Sequence, residues 1–388
     1  EQARAKLLDK MGEGVEPANP ANHTPRVQHG MDAADKVHGA VRDAMLARVG
    51  VAQMDPSNEY RGQTLLEMAR ASLERAGKST RGLDKVQVSE QVLAAQTTSD
   101  FPTILEDTIH KMVVTQFNSF ESTYTRFCRI GDVADFRDHK RLRSGVIGNL
   151  REVNEAGEYL NLNIPDAEAE KISARRHGGI IQVTPETLIN DDMGMIMSMA
   201  QALGTSGFRT VETAVYQVLN ANPKLADGKA LFHSDHGNLA SSGAAPSVSA
   251  FDQARVAMRK QKDVSGEQFL GIKPAVAVVP SDLYGTVDVI VNSPYDPDAT
   301  GQLQRRNQAN GIVRDIVDAP EISGPEWYFF ADPALAPVIE VVFLDGQRAP
   351  RIVQDENFRT AGLSWRAELP FGVAPVDYRG AYKNPGSA

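Results

Sequence analysis

The residues with the clearest potential for chemistry stand in the run LFHSDHGNLA at 231–240, where His233, Asp235 and His236 lie close together. Imidazole and carboxylate groups at this spacing suit a pair of metal ligands, or a base with an acid that orients it. A zinc site takes three or four nitrogen, oxygen or sulfur ligands, so this trio needs a distant partner. The remaining histidines, His23, His29, His38, His110, His139 and His177, are scattered and form no second cluster. The same run also has the makings of a tight turn. Asp235 and Asn238 can accept backbone N–H groups, Gly237 supplies a positive φ, and Phe232 and Leu239 can anchor the ends in a core. The missing third ligand favours the turn. A metal-dependent hydrolase using His233, Asp235 and His236 is the rival from another functional class.

Other chemistry-bearing motifs are weak. Gly77-Lys78-Ser79 partly matches a phosphate-binding loop, but Ser72 occupies the place of its first glycine and a helical pattern precedes it. No HExxH, GxSxG, GxGxxG or CxxC occurs. Cys128, the one cysteine, excludes an intrachain disulfide and has no evident base beside it. The sequence therefore calls for no catalytic group, cofactor or metal.

Composition bounds the class. At 388 residues the chain exceeds the size at which one core keeps growing, so two or more subdomains are expected. A hydrophobic content of 41% with 23% charged residues is ordinary globular composition. The formal charge of −9 argues against sequence-independent nucleic-acid binding, which needs surplus Lys and Arg, and leaves room for weak contact only. No apolar run has bilayer-spanning length, so no membrane partner is expected. The chain starts at Glu1, which fits either a numbering choice or a proteolytically matured product.

The elements that must position these residues follow from periodicity. Residues 1–98 read as an arm, with helices from Asp32 to Gly50 and from Thr64 to Ala76. Their apolar stripes are narrow and must be covered by another part of the chain or another subunit. A further helix spans Pro102 to Phe117. The span 129–183 reads as a long charged two-stranded excursion. It has a basic cluster (Arg137, His139, Lys140, Arg141, Arg143) followed by acids that include Glu152, Glu155 and Glu158, and period-two alternation at Leu160, Leu162 and Ile164. The longest helix runs from Met193 to Asn220 and ends at Pro223; Gly194, Gly204 and Gly207 predict close packing or a bend. From 241 to 344 helices and strands alternate, and the tail from Gly362 to Tyr382 reads as two antiparallel strands around Pro370.

Two stretches carry a resemblance. The run ETLINDDMG (186–194), continued through the long helix to KALFHSDHGNLA (229–240), resembles the major capsid proteins of tailed bacteriophages. The ending ELPFGVAPVDYRGAYKNPG (368–386) is similar to the C-terminus of the Mu-like, prohead-protease-linked group among them. The resemblance covers about 97–388 and implies an α+β chain with the Hong Kong 97 capsid fold. Its parts would be an arm (1–98), a first peripheral segment (99–128), an extended β-hairpin loop (129–183), a peripheral domain with a spine helix (184–240), an axial domain (241–344) and a C-terminal return (345–388). It further implies a non-enzymatic shell subunit of the virion, assembled in the host bacterial cytoplasm into hexamers and pentamers around double-stranded DNA. Scaffold, decoration, portal and maturation-protease partners would accompany it. The charged residues Arg137, Lys140, Arg141, Arg143, Glu152, Glu155 and Glu158 would make intersubunit contacts. The turn residues Phe232, His233, Asp235, His236, Gly237 and Asn238 would form the junction between domains. Lys140 and Lys171 are candidates for a covalent cross-link between subunits that some members of the fold form. An encapsulin-like shell that encloses enzymes is the nearest rival.

Overall fold

The computed structural model describes residues 33–53, 55–94, 101–143, 168–264, 266, 268–297, 305–356 and 363–387. Four helices come first: α1 (Ala33–Arg48), α2 (Leu65–Arg75), α3 (Lys85–Ala94) and α4 (Phe101–Asn118). Strands β1 (Arg129–Val133), β2 (His139–Arg143), β3 (Glu168–Ile172) and β4 (Arg175–Val183) follow. Next come the short helix α5 (Pro185–Ile189) and the long helix α6 (Met193–Ala221). The remainder is α7 (Val248–Arg259), β5 (Val276–Val279), α8 (Ser281–Asn292), β6 (Asp315–Asp318), β7 (Trp327–Phe330) and β8 (Ile339–Leu344). Strands β9 (Arg351–Glu356), β10 (Leu363–Pro375) and β11 (Ala381–Asn384) close the chain. Among the described residues no helix is long and apolar enough to cross a membrane.

Helix α6 sets the layout. Its 29 residues span about 43 Å at ~1.5 Å per residue. Asp192 caps its start by accepting the Met195 N–H at 3.0 Å, and Asn222 ends it in a left-handed conformation (φ 44°) just before Pro223. Its first half puts Met193, Ile196, Met197 and Ala200 into one core, and its second half puts Val211, Val215, Tyr216 and Leu219 into another. Between them α4 crosses at close range. A Cβ on Gly204 would lie 2.6 Å from the Val113 carbonyl oxygen, and one on Gly207 would lie 3.0 Å from Pro350 Cγ. Gly194 meets nothing within 4 Å, so the close packing expected there does not occur.

The arm helices find their cover in the same chain. Val41, Ala44 and Met45 of α1, Leu65, Ala69 and Leu73 of α2, and Val88 and Val92 of α3 all join the first core with α4 and α6. Helix α3 has a sparse stripe and is not among the helices expected from periodicity. Asp191, at a positive φ of 54°, ties these helices to the start of α6. Its carboxylate accepts the Leu65 N–H at the start of α2 at 2.8 Å and pairs with Arg48 at the end of α1. Burial works against the charge, but the Arg48 and Leu65 hydrogen bonds outweigh it and hold the Asp191 carboxyl below its ordinary range.

Two sheets carry the rest. In the five-stranded sheet the order is β1-β8-β10-β4, with β9 also paired to β10. Strand β1 runs parallel to β8, and β10 runs antiparallel to β4, β8 and β9. The tail therefore differs from the two strands expected around Pro370: β10 is one continuous strand of 13 residues running through it. On one edge β10 pairs with β9 up to Glu368 and with β8 from Phe371 onward. Pro370 sits in the gap between those ladders, where a residue lacking an N–H is tolerated. The four-stranded sheet has the order β11-β7-β5-β6. Successive residues of β5 and β7 face opposite cores: Val276, Val278, Tyr328 and Phe330 on one side, Ala277, Val279, Trp327 and Phe329 on the other. Burial on both faces explains their unbroken apolar runs.

Of the span 129–183, strands β1 and β4 belong to the five-stranded sheet, and β2 with β3 forms a separate two-stranded ribbon. The ribbon is fastened to the body at its base. Arg141 Nε donates to Glu340 Oε2 at 2.8 Å, with the Glu340 side chain 3% exposed, and Glu170 accepts the Ala226 N–H at 2.9 Å. Arg137 and Lys140 are exposed. Glu152, Glu155 and Glu158, the alternating residues 160–164, and the side chain of Arg143 lie outside the described residues.

The glycine contacts give a paired prediction. Gly204→Ala should destabilise the subunit, because overpacking costs about 1–3 kcal/mol and exceeds the ~1 kcal/mol gained in helix propensity. Gly194→Ala, which meets open space, should leave stability unchanged or slightly raised. Urea unfolding midpoints of the two variants check both signs.

Candidate functional site: the histidine turn and its surroundings

The histidine run forms a short 3-10 turn, Ser234–His236, that begins after Phe232 enters the second core. His233 caps it by accepting the Asp235 N–H on Nδ1 at 3.1 Å, and Gly237 closes it at φ 64°. Asn238 is fully buried and is its centre. The Asn238 Oδ1 accepts the His233 N–H at 3.0 Å, and its Nδ2 donates to the carbonyls of Leu231 at 2.8 Å and Tyr378 at 3.2 Å. Asn222, at the end of α6, makes a matching clamp. Its Oδ1 accepts the Phe232 N–H at 2.8 Å, and its Nδ2 donates to the Phe232 carbonyl at 3.1 Å.

His236 is committed to structure. Its side chain is 3% exposed, its Nε2 lies 2.6 Å from Asp227 Oδ2, and its Nδ1 lies 3.2 Å from the Leu231 carbonyl. Its ring stacks on Tyr378 at 3.9 Å with an interplanar angle of 5°. Both ring nitrogens are therefore engaged, and neither is left for a metal. Gln261 Nε2 donates to the His236 carbonyl at 2.9 Å, while Lys383 N–H donates to the Asn238 carbonyl at 2.8 Å. The turn thus joins the end of α6, the segment after α7, the β10–β11 connection and β11 itself.

The sequence reading of the turn needs one correction. Asp235 does not accept a backbone N–H; it is exposed and pairs with Lys229 Nζ at 2.9 Å, and His233 fills the capping role instead. A histidine can cap because its unprotonated ring nitrogen accepts a hydrogen bond much as a carboxylate oxygen does. Among the described residues, no group of three or more His, Cys, Asp or Glu side chains is arranged to hold a metal ion.

Sequence reasoning missed one buried acid. Glu212, on the second half of α6, is 5% exposed. Its Oε1 accepts the Thr123 N–H at 2.7 Å and its Oε2 accepts the Thr123 hydroxyl at 2.8 Å, while Tyr216 OH lies 2.7 Å from that hydroxyl. The carboxylate thereby anchors the segment between α4 and β1 to α6. Burial raises its carboxyl above the ordinary value, and the two Thr123 hydrogen bonds oppose the shift without cancelling it. A lone acid inside an apolar helical stretch was the signal available in the sequence. The one cysteine, Cys128, lies nearby, fully buried, with its thiol pushed up by burial and so kept from thiolate chemistry.

Three measurements check this account. Asn238→Ala leaves the His233 N–H without its partner and takes one of two hydrogen bonds from each of the Leu231 and Tyr378 carbonyls, so it should cost about 1–3 kcal/mol, whereas His233→Ala, at a 40% exposed cap, should cost only about 0.5–1 kcal/mol. Stoichiometric zinc in the purified protein, lost with His233→Ala, would contradict the structural assignment. For Glu212 the folded pKa is raised, so its contribution is full below the ordinary value of 4.5 and is lost as pH rises through the raised value. Wild-type unfolding midpoints should therefore fall relative to those of Glu212→Gln across that window. Parallel pH profiles would overturn the assignment.

No curated protein matches the chain. Several solved structures are similar to it at low identity. A virus-like particle from Pyrococcus furiosus is 12% identical with a TM-score of 0.41, over 71% of this chain and 97% of that one. The capsid of an empty GTA particle is 12% identical with a TM-score of 0.48, over 69% and 91%. The procapsid of bacteriophage JBD30 is 11% identical with a TM-score of 0.39, over 74% and 75%. Residues 167–384 match the family described as phage capsid protein, a span that includes β3 to β11, the long helix and the histidine turn, and so every strand of the two larger sheets except β1. The chain belongs to the phage capsid protein family.

Proposed function

We propose that this chain is the major head protein of a tailed, double-stranded DNA bacteriophage or prophage, of the Mu-like group, with the Hong Kong 97 fold. It assembles into hexamers and pentamers of an icosahedral shell. The family match over the long helix and strands β3 to β11 carries the reading. The layout supports it in detail. Helix α6 serves as the spine of a peripheral domain (99–128 and 184–240), and the span 129–183, with its β2–β3 ribbon, is the hairpin excursion. Residues 241–344 form the axial domain, 345–388 return to the peripheral domain, and 1–98 act as the arm.

The chemistry agrees with a structural role. The histidine turn is consumed by internal hydrogen bonds and serves as the junction between the peripheral and axial parts. The exposed charges Arg137, which lies 3.9 Å from Asp135 in its own chain, and Lys140 are contact candidates for neighbours, with Arg143 and the acids Glu152, Glu155 and Glu158. Each exposed pair contributes only about 0–1 kcal/mol, but the contact repeats over a whole shell. An acidic subunit touches packaged DNA weakly and lets it move. Scaffold, decoration, portal and maturation-protease partners act on the assembled particle.

Negative-stain microscopy of the expressed protein tests this directly. Uniform closed shells are expected, and a protein that stays monomeric at high concentration would overturn the proposal. The contents of particles from infected or induced cells separate a head from an encapsulin-like compartment: genome-length DNA is expected, and packaged protein cargo would contradict it.

A further inference from the structure

The described residues with large hydrophobic side chains open to solvent are unevenly distributed. The four most exposed are Leu335 at 87%, Leu142 at 68%, Phe269 at 65% and Ile180 at 63%. Leu335 and Leu142 line one groove of about 770 Å³, and Phe269 adjoins Leu270, which also lines it. The groove runs between the base of the β2–β3 ribbon, strand β8, the segment leading into β5, and the β7–β8 turn. It straddles the two sheets. A concentration of apolar side chains of this kind is a mark of an interaction surface, where scattered single ones are not.

Leu335 is presented, not merely left out. Asp332 organises its turn: its carbonyl accepts the N–H groups of Leu335 and Ala336 at 3.0 Å, and its Oδ1 accepts the Ala334 N–H at 3.0 Å. Arg314 holds the other carboxylate oxygen at 2.8 Å, and Pro333 and Pro337 bracket the exposed side chain. A turn fixed this way loses little further entropy on binding, so it suits a preformed contact.

The charges around the groove indicate what covers it. Arg141 is paired with Glu340 at 2.8 Å, and Arg379 with Asp377 at 3.4 Å. Arg129 and Lys273 are balanced by Asp263 and Asp332, so the lining carries no net charge on a chain of net −9. Nucleic acid needs a surplus of positive charge, which the lining lacks. Two like-charged copies repel over most of their surfaces, and a neutral apolar patch is where they can approach without that cost.

We propose that this groove, with the exposed Leu335 and Leu142 in its lining, is a contact surface between two copies of this chain. The inference rests on the shell reading given above and assigns part of the surface that reading requires. One copy buries Leu335 and its turn against its neighbour, and the paired rim charges set the register.

The test uses the full chain. Leu335→Asp should keep the wild-type circular dichroism and melting behaviour and should lose particle formation, while Leu335→Met should restore it. In Leu335→Cys, the new thiol should react with a maleimide in unassembled subunits and be protected in particles; the native Cys128 is buried and gives little background. Normal particle yield from Leu335→Asp, or equal labelling before and after assembly, would overturn this inference and leave the shell reading standing. Protection already present in the unassembled subunit would show the groove covered by the chain's own residues, which also overturns it. A wild type that forms no particles overturns the shell reading and this inference with it.

Discussion

A helix of 29 residues cannot be covered by one core of ordinary thickness, and the rest of the subunit is arranged around that mismatch. The first half of α6 lies in a core built mainly from helices, with α4 against it and α1 to α3 in the same cluster, and the second half in a core built mainly from the sheets, so the two halves sit in different kinds of core. Strand β10 makes the same passage. Its Trp365 and Ala367 belong to the helical core, and its Leu369 and Phe371 to the sheet core. Two long elements therefore bridge both regions, and neither region can shift without straining both. Gly204 and Gly207 lie where α6 passes between its two cores, and there side-chain volume gives way to direct approach of α4 and Pro350.

The ends of that helix are controlled by polar groups of two kinds. At the start, adjacent aspartates divide the work: Asp192 caps the helix, and Asp191 gathers the arm helices through Arg48 and the Leu65 N–H. At the finish, two asparagines make two-ended amide clamps on the chain around the histidine turn. The charged clamp sits where solvent reaches it, while the neutral amides go deeper, Asn222 half-buried and Asn238 fully buried. That division follows from desolvation, which penalises an ion far more than an amide that keeps all its partners. Glu212 is the exception, and burial shifts its carboxyl accordingly.

How much of this was legible in the sequence depended on whether the signal was local. Helix α2 was announced by its capping residue Thr64, its stripe and the glycine beyond it, and α6 by a long apolar period and Pro223. Helix α3 carries little signal in the sequence, because among its described side chains the apolar ones that reach the core are Val88, Val92 and Leu93, beside a buried Ser89. The parallel pairing of β1 with β8 joins segments some 200 residues apart, and nothing in either strand encodes the partner. Local grounds make Pro370 a break between strands, whereas the gap between the β9 and β8 ladders in which it sits is a tertiary fact. The same limit applied to the histidine turn. Its turn character, its glycine and its buried phenylalanine could be read from residue types alone. The exchange of roles between Asp235 and His233 depended on Lys229 lying within reach of the carboxylate. The bareness of Leu335 depends on its surroundings in the same way, since residue type alone does not tell an exposed leucine from a buried one.

The continuous run of β10 also has a mechanical meaning. A pull along its axis loads the ladders with β4 on one edge and with β9 and β8 on the other in shear, so many hydrogen bonds must yield together. A pull across the sheet would peel the same bonds one at a time at far lower force. The subunit is therefore anisotropic: stiff along the line joining its two cores, and weaker at right angles to it. In a container filled under pressure, orienting that stiff direction within the wall would let each subunit carry tension as a tie.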